Sequence, residues 1–258
     1  MENFLDIINK FILKMGYTNN SHFLGIYFYG SSLTGFNNKE SDIDLHVIFD
    51  NSDFKHIFRG VCYIDGIRIE YFEKCISDVY LSVKNDIKEC NWSWYSMIGK
   101  SYIVCDKNDE LKKLQEYTLD VYKNINGIDE EDIYEKISII NNRMSKLKKC
   151  LDEDSLNFYS LFYITVEMIR RFYHSIHGFP KINTSKIYKV YKDDEYRKSY
   201  FPNEFVSDEF KKIYLSIIES SIMNKEILFD KLVKLYNYVL DGRKLDNEFR
   251  IHIKSRNE

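Results

Sequence analysis

The chain has 258 residues, enough to bury a sizeable core in one large or two modest domains. Its 37 basic and 40 acidic residues give a formal net charge of -3, which argues against a nucleic-acid coat and against a polybasic membrane anchor. Cys62, Cys75, Cys90, Cys105 and Cys150 lack the spacing of a zinc knuckle or a redox dithiol, and no apolar stretch is long enough to span a bilayer; a cytoplasmic protein with no membrane segment is expected.

From the start of the chain, residues 3–15 place Phe4, Ile8, Phe11, Ile12 and Met15 at helical spacing, with Gly16 as the stop. This amphipathic stretch reads as a domain helix, not a signal peptide. Residues 23–29 form a short apolar strand, and residues 32–37 one or two helical turns. From Asp42 the pattern alternates: Asp42, Asp44 and His46 on one face, Ile43, Leu45, Val47 and Phe49 on the other. Residues 62–64 and 67–72 read as a hairpin about Asp65-Gly66. Helices are expected at 73–88 and 92–98, a strand at 102–104, and a helix at 109–124. The rest is nearly all helical: 133–151, 156–177 ended by Gly178 and Pro180, a weaker segment at 183–198, then 208–222 and 224–240. The change of composition near 124–129 sets a division into residues 1–125 and 126–258.

One segment carries chemistry. Gly30-Ser31 closes a strand, and Asp42 and Asp44 open the next with their side chains on the same side. Crowded carboxylates repel, so a cation between them is expected. Gly30 lets backbone approach a polyphosphate, Ser31 offers a hydroxyl, and the N–H groups of the following turn favour an anion. Glu70, on a neighbouring strand, is the candidate third acid, either a shared metal ligand or the base that takes the acceptor's proton. The bland alternatives are solvated strand acids, with Glu70 paired to Arg68 or Lys74.

Residues 30–44, a Gly-Ser pair, a gap of about ten residues and Asp-x-Asp, resemble the signature of the DNA polymerase beta-like nucleotidyltransferase superfamily. The resemblance implies an α+β chain. An N-terminal nucleotidyltransferase domain, a mixed β-sheet flanked by helices, would be followed by a C-terminal helical bundle for substrate binding. It further implies that Gly30, Ser31, Ser32 and Lys39 meet the nucleotide. Asp42, Asp44 and Glu70 would be catalytic and hold Mg²⁺, two ions, with a nucleoside triphosphate, ATP first, as donor. The arginine that many relatives place just before Gly35 is missing, Leu33 and Thr34 standing there, and His46 falls where many have an apolar or small residue.

The layout resembles the bacterial antibiotic nucleotidyltransferases, which modify a hydroxyl of an aminoglycoside or lincosamide. The expected reaction is transfer of NMP to a small-molecule hydroxyl with release of pyrophosphate. Nucleic acid is not the expected partner, and a homodimer is allowed. The competing readings are an antitoxin-type transferase acting on protein or RNA, and a non-catalytic nucleotide- or partner-binding module. Asp152 to Asp154 and Asp193-Asp194 could attract a cationic acceptor. Lys100 could meet phosphate, and Trp92, Trp94 and Tyr95 could line a wall, though core packing explains the aromatics better. Arg170 and Arg171, upstream of His174 and His177, resemble the arginine-to-histidine spacing of HEPN ribonucleases, a pattern that helix electrostatics also favours.

Overall fold

The structure is a computed structural model that describes residues 2–36, 41–50, 58–88, 91–123, 125–201, 206–220 and 224–244. The opening amphipathic segment forms α1 (Glu2–Met15), which buries Ile7, Ile8, Phe11 and Ile12 on one stripe and stops at Gly16, whose φ is 69°. Five strands follow: β1 (Phe23–Tyr29), β2 (Ile43–Phe49), β3 (Phe58–Ile64), β4 (Ile67–Cys75) and β5 (Tyr102–Asp106). Their spatial order is β3-β4-β2-β1-β5. The β2–β4 pair is parallel and the other three pairs are antiparallel, so the sheet is mixed.

Both faces of the sheet are covered, which is why its central strands read as nearly continuous apolar runs. On one face Phe11 and Ile8 of α1 pack with Ile26, Phe28, Leu45 and Val47. On the other, Tyr27 and Ile48 pack with Val79 and Val83 of α3 (Ile76–Lys88) and with Leu111 and Leu114 of α4 (Glu110–Tyr122). Between β1 and β2 lies one short helix, α2 (Ser31–Thr34).

Three sequence expectations are corrected here. Residues 73–75 are strand, not helix, because Val47, Ile48 and Phe49 of β2 supply ladder partners for Glu73, Lys74 and Cys75. Residues 95–99 form a π-helical turn instead of the expected α-helix. The buried Asp86 carboxylate fixes the entry to that turn, accepting from the Trp94 N–H (2.9 Å), the Asn91 side chain (2.9 Å) and the Tyr122 hydroxyl (2.7 Å). Segment 183–198 is two helices, because Asp193 breaks the run and caps a new one by accepting from the Tyr196 N–H at 2.9 Å.

The later helices are α5 (Glu130–Asp152), α6 (Asn157–Ile176), α7 (Thr184–Lys192), α8 (Asp194–Tyr200), α9 (Asp208–Ile218) and α10 (Lys225–Leu240). Asp129, Ser207 and Asn224 cap α5, α9 and α10 with side-chain oxygens. The chain divides into two compact units, residues 1–125 with 193–202, and residues 126–192 with 203–258. The first therefore holds the sheet, α1 to α4 and also α8. In the second, α5, α6, α9 and α10 pack around Ile137, Phe162, Ile169, Phe210 and Leu232. Among the described residues no helix is long and apolar enough to cross a membrane.

Candidate active site

The turn after β1 brings the first part of the site into place. Gly30 has φ 86° and ψ -166°, and a Cβ there would lie 2.1 Å from Asp44 Oδ2. Only glycine tolerates both the backbone angle and that approach. Ser31 opens α2 and is half-buried. Ser32 is buried, and its hydroxyl donates to the Asp42 carbonyl at 2.6 Å. That bond ties the turn to the start of β2. Lys39 lies outside the described residues.

Parallel pairing of β2 with β4 sets Asp44 directly beside Glu70. Asp42 precedes β2 by one residue and shares their side. As a result one carboxylate oxygen each from Asp42, Asp44 and Glu70 lies within 4.8 Å of the others. All three side chains are half-buried. The sequence expectation that these acids converge is met. The donor set is three carboxylates with no thiolate or imidazole, which suits a hard cation such as Mg²⁺.

Two arginines join this cluster; the sequence reading named Arg68 only as the partner of a non-catalytic Glu70, and did not single out Arg59. Arg68 Nη1 donates to Asp42 Oδ2 and lies 3.4 Å from Glu70 Oε2. Arg59 holds Glu70 Oε1 through Nε at 2.7 Å and through Nη2. The signal was present as Arg68-x-Glu70, two residues on one face of a strand. For Arg59 it required the β3–β4 register, in which Val61 faces Glu70 and Arg59, two residues before Val61, faces Phe72.

His46 is not beside the acids in any useful sense. It is 2% exposed and stacked on Tyr29 at 4.8 Å, with Trp94 at 5.2 Å and Phe72 at 5.4 Å. Among the described residues neither ring nitrogen has a hydrogen-bond partner. Burial, with the Lys74 charge nearby, pushes its pKa down to about 3, so the ring is neutral. The alternation that suggested an open acidic face stops at Asp44, because Trp94 and α3 cover the face beyond it.

Trp92, Trp94 and Tyr95 are buried core residues. Lys100 is exposed, its ammonium 5.6 Å from the Tyr95 ring centre. The acidic runs are engaged locally: Asp152 with Lys148 at 2.5 Å, Asp154 with Lys225, Asp193 as the α8 cap and Asp194 with Arg197 at 3.1 Å. Arg170 is fully buried in an ion pair with Glu167 and donates to the Ile182 carbonyl at 3.0 Å, while His174 joins the Pro180 carbonyl and the Tyr191 hydroxyl. Arg171 is also paired to Glu167, at 2.7 Å, and His177 stacks on Phe179 at 5.2 Å.

The last neighbour of the glycine-serine turn comes from far along the sequence. The Tyr200 hydroxyl of α8 lies 2.9 Å from the Thr34 hydroxyl, and Tyr196 packs edge-on against Phe36 at 5.0 Å.

A mixed sheet that carries a Gly-Ser turn against three convergent carboxylates defines a nucleotide-transfer site. The family model described as "Nucleotidyltransferase domain" matches residues 18–150, just over half of the chain, and the chain belongs to that family. It is a nucleotidyltransferase, an enzyme that moves a nucleoside monophosphate. A solved "nucleotidyltransferase-like protein" from Exiguobacterium sibiricum 255-15 is similar in fold, with 12% sequence identity and a TM-score of 0.50 over 93% of this chain and 75% of that one. No curated protein matches the chain.

Proposed function

We propose that this nucleotidyltransferase uses Mg²⁺ to transfer NMP, with ATP as the first donor to test, to a hydroxyl of a small molecule. An aminoglycoside-like antibiotic is the leading acceptor class. The observation that carries the reading is the convergence of Asp42, Asp44 and Glu70 against Gly30. Asp42, Asp44 and Glu70 would hold the metal, which when bound supplies charge neutralisation at the phosphates and an acidified acceptor oxygen.

The residues divide the remaining work. Gly30 leaves room for the Asp44 carboxylate to lie against the turn, and Ser31 would offer its hydroxyl to a phosphate. The acceptor oxygen forms a bond to the α phosphorus as the bond to the bridging oxygen of pyrophosphate breaks. Its proton passes to a carboxylate of the cluster, and pyrophosphate leaves with the bonding electron pair. A balanced net charge supports a small acceptor over a nucleic acid.

The test is an acceptor panel with labelled ATP, GTP, CTP and UTP, read by mass. Aminoglycosides, lincosamides, RNA and proteins are included. A small-molecule product of added NMP mass is expected, and D42N or D44N should lower its rate at least about a hundredfold. Transfer that survives D42N/D44N would overturn the metal assignment, and transfer only to RNA or protein would overturn the acceptor class.

A further inference from the structure

The two arginines beside the carboxylates pose a problem for any cation that is to bind there. Asp42 Oδ2 and both oxygens of Glu70 are already occupied by guanidinium groups. Arg68 Nη1 reaches Asp42 and Glu70 at once, so it lies between two of the three acids. A divalent ion bridging Asp42 Oδ2 and Glu70 Oε2 would take the place that Arg68 Nη1 now fills between them.

The two arginines are not equivalent. Of the three acids Arg59 pairs with Glu70, from the outer strand β3, and its guanidinium lies over the Phe72 ring at 5.2 Å. Arg68 spans the cluster, and its side chain is 40% exposed, so it can swing outward without disturbing packed groups. It is anchored two residues before Glu70 on β4, so a displaced guanidinium stays within reach of the same site. Divalent cations bound at the three carboxylates would shift the local charge in the positive direction. Such a site, with a mobile guanidinium kept at its margin, is suited to the oxygens of a polyphosphate.

We propose that Arg68 is a counter-ion that the metal displaces, neutralising Asp42 and Glu70 before the cation arrives and binding the triphosphate of the donor afterwards. The proposal rests on the metal assignment above and deepens it. Arg68 lowers the affinity for bare metal and raises the affinity for the nucleotide. Metal and nucleotide uptake are therefore coupled through one side chain, and the cation alone is held weakly until its nucleotide is present.

The test uses the full chain and Mn²⁺ as probe, read by calorimetry and by the loss of the free-ion EPR signal. In the absence of nucleotide, R68Q should bind Mn²⁺ about five- to twentyfold more tightly than the unaltered protein. Its KM for the nucleoside triphosphate should rise about tenfold, with a smaller change in kcat. R68K, which keeps the charge but not the paired donors, should fall between. R59Q should tighten Mn²⁺ less and leave the KM for the triphosphate unchanged. Equal or weaker Mn²⁺ binding by both Arg68 variants, or an unchanged KM in R68Q, would overturn the proposal while leaving the metal site intact. Mn²⁺ uptake absent from R68Q, and absent from the unaltered protein even with the nucleoside triphosphate present, would overturn the metal site and the counter-ion role together.

Discussion

At Gly30 a single hydrogen in place of a side chain decides the geometry of the carboxylate cluster. Any Cβ would strike the Asp44 carboxylate and would also meet an unfavourable φ. Gly30→Ala is expected to lower transfer at least about a hundredfold while the chain stays folded, because the clash falls on a carboxylate and not on the core. Steady-state rates and a melting curve on the same sample check this. The approach of Gly30 to Asp44 was legible in the spacing of one short segment, and Glu70 in its place on the next apolar strand, although only the β2–β4 pairing sets it beside Asp44. Arg59 was not legible, since it pairs with Phe72 and reaches Glu70 from there. The Ser32 bond to the Asp42 carbonyl likewise appears only once the turn and β2 are folded together.

Glu167 and Arg170 form a second residue-scale feature; of the two, the sequence reading linked only Arg170 to a ribonuclease-like pattern. Arg170 is fully buried and its charge is balanced by Glu167. Burial alone would raise the Glu167 carboxyl, but bonds from Arg170, Arg171 and Thr184 outweigh it and hold the group below the usual range. Glu167→Gln would leave a buried guanidinium without its counter-charge, and a loss of about 3–5 kcal/mol is expected, measured by urea unfolding.

Among the elements, α8 carries the clearest consequence. Residues 194–198 were read as the tail of a longer helix and Tyr200 as loop, and the contact with the turn after Gly30 was invisible because it joins positions 166 residues apart. The hydroxyl pair of Tyr200 and Thr34 ties α8 to the end of α2. Tyr200→Phe removes one such bond, and the expected result is a KM for the triphosphate about three- to tenfold higher with kcat within about twofold. An unchanged KM would show that α8 has no hold on the turn. Elsewhere, elements with a long apolar period, such as α1 and α6, were plain from sequence. The end of β4 was not, because only its partner strand makes residues 73–75 extended.

For the molecule as a whole, acid should be the sensitive direction. His174 is fully buried, with one ring nitrogen at the Pro180 carbonyl and the other at the Tyr191 hydroxyl. Burial first, and then the Arg170 charge, push its pKa down to about 3, with Glu167 acting in the opposite sense. The unfolded chain takes up this proton below about pH 6.5, whereas the folded chain refuses it until about pH 3. Stability is therefore full above pH 6.5 and falls as the pH drops, by up to about 1.4 kcal/mol per pH unit from this group. Urea midpoints between pH 7.5 and 4.5 check the slope, which should be shallower in His174→Gln even though that variant starts lower. The two-part architecture was legible as a change from strand-forming to helical composition. The return of residues 193–202 to the sheet-containing unit was not, since nothing in local composition marks it.

That return has a practical corollary for anyone cutting the gene. A fragment that stops where the strands end would encode the nucleotide-binding half minus one of its walls, baring Phe36 and the Thr34 hydroxyl to water. The catalytic module is assembled from two separated stretches of polypeptide, so it cannot be excised, swapped or fused as one continuous cassette.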